Sequence, residues 1–110
     1  MIVFLNAFSL NFFPELNVLN LTIKKVSEND VKNIVNNNNF ISFLGHNDLC
    51  EILNNKFETK TFEFNRSNFT WSDSVTSALI FQYKGTRLPE GSTVLPEGST
   101  IEFYEVTVNG

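Results

Sequence analysis

The sequence contains few of the side chains that build disulfides, metal sites and nucleophilic catalysts. Its 110 residues include one cysteine, Cys50, and one histidine, His46. One cysteine cannot form a disulfide within the chain, and one histidine cannot form a histidine-based metal site. A Gly-x-Ser-x-Gly nucleophile elbow is also missing, which argues against serine catalysis of the α/β-hydrolase type. We therefore expect no metal and no cofactor.

Basic charge and long apolar runs are scarce as well. The net charge is −4, which argues against a protein that coats long DNA or RNA, although a few well-placed donors could still hold a small anionic ligand. No segment approaches the roughly 20 apolar residues that cross a bilayer. The apolar start, MIVFLNAFSLNFF, has no basic n-region and no small-residue cleavage site, so it predicts a core strand rather than a signal peptide. We expect a cytoplasmic protein with no membrane partner.

The apolar residues that are present suffice for one core. The composition is 42% hydrophobic and includes twelve phenylalanines, and a chain of this length is typical of a single domain, here 1–110. Alternating or continuous apolar residues predict strands, and apolar residues at helical spacing after Ser27 and from about His46 predict two helices. The strand-like segments are 2–5, 19–24, the short apolar run 40–44, 62–65, 69–71, 75–83 and 101–108, with 75–83 as the central strand. These patterns predict an α+β domain with a mixed, mostly antiparallel sheet flanked by helices.

A short repeat stands between the last two predicted strands. Residues 87–100 read RLPEGSTVLPEGST, so LPEGST occurs twice. Each Pro-Glu-Gly is a turn signal, because proline fixes φ and glycine permits positive φ. Only the first copy has an arginine in front of it, Arg87, and arginine is suited to binding phosphate or carboxylate. Duplicated turn chemistry and a binding loop therefore both remain open.

His46 has two readings from its position at a predicted helix start. A histidine beside a glycine is typical of a capping or packing residue. Imidazole is also a suitable acid or base near neutral pH, and the first N–H groups of a helix can bind a phosphate. Cys50 follows one helical turn later, so a Cys–His pair and a small core thiol both stay possible.

Several of these motifs occur together in one known family. They are LNAFSLN at 5–11, GH at 45–46, NR at 65–66, RLPEG at 87–91 and FYEV at 103–106. In this order, over nearly the whole chain, they resemble the viral ring nucleases, anti-CRISPR proteins of archaeal viruses and phages that also occur in bacteria. The resemblance implies a viral or prophage protein that cleaves cyclic tetra-adenylate, the second messenger of type III CRISPR defence, into linear di-adenylate without a metal.

The resemblance also implies roles for single residues. His46 matches the general acid, Arg87 the arginine that stabilises the phosphate, and Glu90 the acidic residue that helps to position or activate the reacting groups. The ligand-binding positions of the family match a further set of polar residues: Asn6, Ser9, Asn11 and Arg66. The family further implies a symmetric homodimer with the cyclic ligand across the interface.

The chain departs from this family in one region. The stretch before Arg87 is one residue longer than in archaeal viral members, and the second LPEGST stands where those members have a longer, partly helical stretch. The departure leaves open how the far side of the pocket is closed. Two other functions also fit the motifs: a module that binds a cyclic nucleotide without cleaving it, and a protein-interaction module of the same fold.

Overall fold

The computed structural model describes residues 1–15, 17–37 and 39–109, and in these ranges five strands and two α-helices follow one another. In chain order the elements are β1 (Ile2–Leu5), a 3-10 helix (Leu10–Phe12), β2 (Leu21–Val26), α1 (Glu28–Asn37), β3 (Phe40–Phe43), α2 (Asn47–Lys56), β4 (Ser77–Lys84) and β5 (Thr100–Val108). The predicted α+β class is confirmed. None of the helices in the described ranges is long and apolar enough to span a membrane.

The strands form one mixed sheet in the order β2-β5-β4-β1-β3. β1 runs parallel to both β3 and β4, whereas β5 runs antiparallel to β4 and β2. The antiparallel pairings are the longer ones, as the sequence predicted, and β4 is the central strand. Because β1, β3 and β4 are parallel, their carboxyl ends lie at the same edge of the sheet. Residues that directly follow these three strands therefore come close together in space.

The two faces of the sheet are covered differently. The two helices pack on one face, where Val31 of α1 and Leu53 of α2 join a core rich in phenylalanine from β1, β4, β5 and the segment after α2. Phe4, Phe62 and Phe81 form the centre of this core, with ring centroids 5.1–5.4 Å apart. The other face is covered only in part, by the chain around the 3-10 helix and by the segment before β4.

The start of α1 matches the predicted capping pattern. The Asp30 amide donates to the Ser27 hydroxyl, and the Ser27 amide donates to the Asp30 carboxylate, each over 3.1 Å. This reciprocal pair satisfies two amide groups that the helix cannot. The same bonds hold the pKa of Asp30 below its usual value. The predicted end of the helix in the asparagine run 36–39 agrees with the last helical residue, Asn37, while Asn38 lies outside the described residues.

Two predicted strands are wrong. The stretches 62–65 and 69–71 are not strands in the described part of the chain, and the first makes only a single bridge, between Phe64 and Leu44. Phe62 and Phe69 are buried, but Phe64 is 48% exposed, so burial does not alternate along 62–65. Their backbone groups, however, bond to other partners: Phe62 pairs with the side chain of Asn54 instead of a neighbouring strand. The alternating residue types therefore belong to a loop that buries single phenylalanines.

Residues 19–24 were predicted to form a half-buried strand. The strand is present, but the predicted burial of Ile23 is wrong. β2 begins at Leu21, and Ile23 within it is 59% exposed. The reason is its place in the sheet: β2 is an edge strand, and Ile23 stands on the part of the sheet face that the loops leave open. An alternating pattern marks the apolar face of a strand, and among the described residues that face is covered at Leu21, which packs against the cluster around Val3 and Ile80, but not at Ile23.

Candidate functional site

The carboxyl edge of the parallel strands borders a cavity of about 800 Å³. Asn6 directly follows β1, His46 follows β3 after two residues, and the loop with Arg87 and Glu90 follows β4. All four residues line this one cavity. Ligand sites of open sheets with parallel strands commonly lie at this edge, because the loops that leave the strands converge there. The strand order thus brings together residues that are more than 80 positions apart in the sequence.

His46 precedes the first residue of α2 and has the extended backbone of a capping position, with φ −126° and ψ 111°. In the described part of the chain its side chain makes no capping hydrogen bond to the helix. The residue is exposed, so it does not serve as a packing residue either. Both structural interpretations of this histidine therefore lose support. Its imidazole stands beside the amino end of a helix, where an anion is favoured.

Cys50 does not pair with His46 through its side chain. The thiol lies in the helix-side core, 2% exposed, and burial raises its pKa to about 11. The link between the two residues is the ordinary helical bond from the Cys50 amide to the His46 carbonyl. A thiol with a raised pKa is a poor nucleophile at neutral pH. The structure favours the core reading of Cys50.

Asn6 connects the end of β1 to the turn before His46. Its side-chain oxygen accepts a hydrogen bond from the Gly45 amide over 3.2 Å. The stem of Arg66 is close to the same glycine, since a Cβ on Gly45 would be 3.8 Å from the Asn6 oxygen and 3.9 Å from Cγ of Arg66. Asn6 therefore both holds the segment before His46 and lines the cavity. Arg66 lies beside the same segment.

The repeat forms two similar turns. In the first copy the Ser92 amide donates to the Pro89 carbonyl over 3.1 Å, and in the second the Ser99 amide donates to Pro96 over the same distance. The glycines between them have φ of +81° and +80°, at the third position of the turn, where a type II turn requires positive φ. The turn chemistry is duplicated, but only the first copy lines the cavity.

Three predicted binding residues are not among the described residues that line this cavity: Ser9, Asn11 and Arg66. Ser9 caps the 3-10 helix by accepting a hydrogen bond from the Asn11 amide over 3.1 Å. Conversely, the cavity wall includes Asp48 and Gln82, which were not among the predicted site residues. Gln82 could have been suspected, since it is the first polar residue on its side of a buried strand.

A second, smaller cavity of about 390 Å³ lies on the open part of the sheet face and shares Asn6 and Gln82 with the first. The other residues of its wall are mainly apolar: Ala7, Phe8, Ile23, Ile80, Tyr104 and Val106. We call it the open-face cavity. The two shared residues place it next to the candidate site, so a partner seated on the open face would also border the site.

An ion-pair cluster lies on this face of the sheet. Glu102 accepts from Lys84 at 2.6 Å and from Lys25 at 3.1 Å, and the Tyr104 hydroxyl donates to it as well. Hydrogen bonds from Lys84, Tyr104 and Lys25 lower the pKa of Glu102 to about 2, and the Glu102 bond raises the pKa of Tyr104. The cluster joins three adjacent strands through their side chains.

Among the described residues, no group of three or more His, Cys, Asp or Glu is placed to hold a metal ion.

Comparison with known proteins identifies the family. The sequence pattern of the STIV B116-like family matches residues 2–105. The chain belongs to the STIV B116-like family. A similar solved structure is B116 of Sulfolobus turreted icosahedral virus, with 28% sequence identity and a TM-score of 0.71 over 96% of this chain and 97% of that chain. No curated protein matches the chain. The STIV B116-like family takes its description from a viral protein, which agrees with the predicted viral character at the level of the family.

Proposed function

We propose that this STIV B116-like protein is a metal-independent ring nuclease that cleaves cyclic tetra-adenylate into linear di-adenylate and so counters or tunes type III CRISPR signalling. One observation carries the proposal. His46, Arg87 and Glu90, the residues that the family resemblance marks as catalytic, are distant in sequence and line a single cavity at the carboxyl edge of the parallel strands.

The chemistry of the substrate matches what the cavity offers. In RNA each phosphodiester has a 2′-hydroxyl beside it, so the substrate brings its own nucleophile. The 2′-oxygen forms a bond to phosphorus, the bond from phosphorus to the 5′-oxygen breaks, and a 2′,3′-cyclic phosphate results. The protein has to position the phosphate, stabilise its developing charge and supply a proton to the leaving 5′-oxygen. Residues of these types are present.

Each residue has a defined part in this step. His46 as the imidazolium protonates the 5′-oxygen, a role worth roughly 10²–10⁴-fold in rate. Arg87 binds the non-bridging phosphate oxygens, as its planar group is suited to do, and the amino end of α2 adds unpaired N–H groups. Glu90 helps to orient the 2′-hydroxyl or accepts its proton.

The proposed homodimer follows from the need to cleave two phosphodiester bonds in each ring. Di-adenylate forms from a four-nucleotide ring only if opposite phosphodiesters are both cleaved, and a two-fold axis presents one His46 to each of them. We propose that the second copy packs on the open-face cavity, which is apolar, exposes Ile23 and borders the candidate site through Asn6 and Gln82. In a dimer of this kind, Ser9 and Asn11, which are close in sequence to Ala7 and Phe8, would lie near the ligand.

The test is a single-turnover incubation of the protein with cyclic tetra-adenylate in EDTA, followed by separation of the products. We expect linear di-adenylate from the natural protein and a loss of at least about 100-fold for His46→Ala. The repeat offers a matched control: Glu90→Ala should slow cleavage, whereas Glu97→Ala, the same change in the second copy, should not. Intact ring recovered from a tight complex after denaturation would show a binding module without cleavage. No binding at all would favour an interaction module.

A further inference from the structure

The loop that carries Arg87 is attached to the helix that begins beside His46 at two points. A side-chain oxygen of Asp48 accepts a hydrogen bond from the Gly91 amide over 3.3 Å. The side-chain amide of Asn55 donates to the Thr93 carbonyl over 2.7 Å. Both are bonds from a side chain of α2 to the backbone of the loop, and they join positions 43 and 38 residues apart.

The two helix residues are placed to act together. Asp48 and Asn55 are seven residues apart in α2, which is about two helical turns and puts them on the same side of the helix. Their partners, Gly91 and Thr93, are two residues apart in the first LPEGST copy. A helix face and a loop joined at two points cannot rotate about a single bond, so the attachment fixes the direction of the loop as well as its distance.

The two copies of the repeat are held in place by different elements. The second copy ends in Thr100, which already pairs with Lys84 in the sheet. The first copy lies away from the strands, and the tertiary hydrogen bonds to Gly91 and Thr93 come from α2. Exposed loops without such anchors open easily. The sheet therefore holds one copy of the turn, and the helix holds the other.

We infer that Asp48 and Asn55 are positioning residues, which hold the turn from Arg87 to Gly91 against the start of α2 so that Arg87 and His46 face the same phosphate. This inference rests on the proposed function. Its physical basis is that groups acting on one scissile bond must be placed closely, since a displacement of about 1 Å can cost about 100-fold in rate. Asp48 serves through its oxygen as an acceptor, so an asparagine in its place keeps the bond.

The first test does not depend on activity. Exchange of the Gly91 amide with solvent deuterium, followed by NMR, should be at least about tenfold faster in Asp48→Ala than in the natural protein, because the amide loses its acceptor. Asp48→Asn should retain most of the protection. Glu51→Ala removes an exposed acid from the same helix and should leave the amide unchanged. Equal exchange in Asp48→Ala and the natural protein would overturn the attachment.

The second test measures the single-turnover rate and the affinity for cyclic tetra-adenylate separately. Asp48→Ala and Asn55→Ala should each slow cleavage by about tenfold, which corresponds to about 1.4 kcal/mol, with a smaller change in affinity. Asp48→Asn should restore the rate. A loop that opens in Asp48→Ala without any loss of rate would overturn the positioning role. If the natural protein does not cleave the ring, the proposed function fails, and the positioning role fails with it, while Gly91 exchange still decides whether the attachment exists.

Discussion

Replacing Asn54 by alanine should destabilise the fold by more than any other change of a half-buried polar residue in α2. Its side-chain oxygen accepts from the Phe62 amide over 2.9 Å, and its side-chain nitrogen donates to the Phe62 carbonyl over 3.0 Å. Each bond contributes roughly 0.5–1.5 kcal/mol net, so the loss is about 1–3 kcal/mol. The bonds matter because Phe62, 2% exposed, is a central ring of the helix-side core.

Urea unfolding followed by circular dichroism measures this change. Alanine favours a helix over asparagine by up to about 0.7 kcal/mol, which partly hides the loss in Asn54→Ala. Asn33→Ala, at an exposed position inside α1, carries that propensity gain and serves as the control. We expect the free energy of unfolding of Asn54→Ala to lie at least about 1 kcal/mol below that of Asn33→Ala. Equal stabilities of the two variants would refute the view that Asn54 holds the segment after α2 in place.

Three further predictions concern the surface, the core and the pH response. Ile23→Glu should convert the proposed dimer to monomer in light scattering with little loss of thermal stability, because Ile23 is 59% exposed in the monomer; a dimer that survives would place the interface elsewhere. Cys50 should react slowly with a thiol reagent at pH 8 until urea is added, since its pKa is raised to about 11; fast labelling of the folded protein would contradict the core position. Glu102→Gln should be less stable than the natural protein at pH 7, because the lowered pKa of Glu102, about 2 against 4.5, means that its pairing with Lys84 and Lys25 stabilises the fold when the carboxylate is charged. The difference should shrink as the pH falls from about 4.5 towards about 2, and a difference that stays constant would refute the pairing.

The local patterns of the sequence were sufficient for the helices and for most of the sheet. Ser27 with Asp30 marked the start of α1, and the apolar run before Lys84 marked the central strand. The same reasoning failed at Phe62 and Phe69, because the alternating residue types belong to a loop that bonds to Asn54 and to the chain near the 3-10 helix. The spacing of apolar residues does not determine which backbone groups a segment will hydrogen-bond to.

The candidate site was predictable in part for a similar reason. His46, Arg87 and Glu90 stood in motifs, and the parallel arrangement of β1, β3 and β4 explains why the motifs meet. Asp48 stood in no motif and gains its place in the cavity only from the path of the loop that bonds to it. Contacts of this kind depend on how two distant segments pack, which a single sequence does not encode in any local spacing.

The general-acid role of His46 is tested most directly by changing the leaving group. In a cyclic tetra-adenylate whose scissile 5′-oxygens are replaced by sulfur, the departing thiolate needs no proton. We predict that His46→Ala cleaves the natural ring at least about 100-fold more slowly than the unmodified protein does, and cleaves the sulfur-containing ring at nearly the rate of the unmodified protein. If His46→Ala cleaves the natural ring at the full rate, the histidine at the start of α2 is not the acid, and the proposed mechanism is wrong.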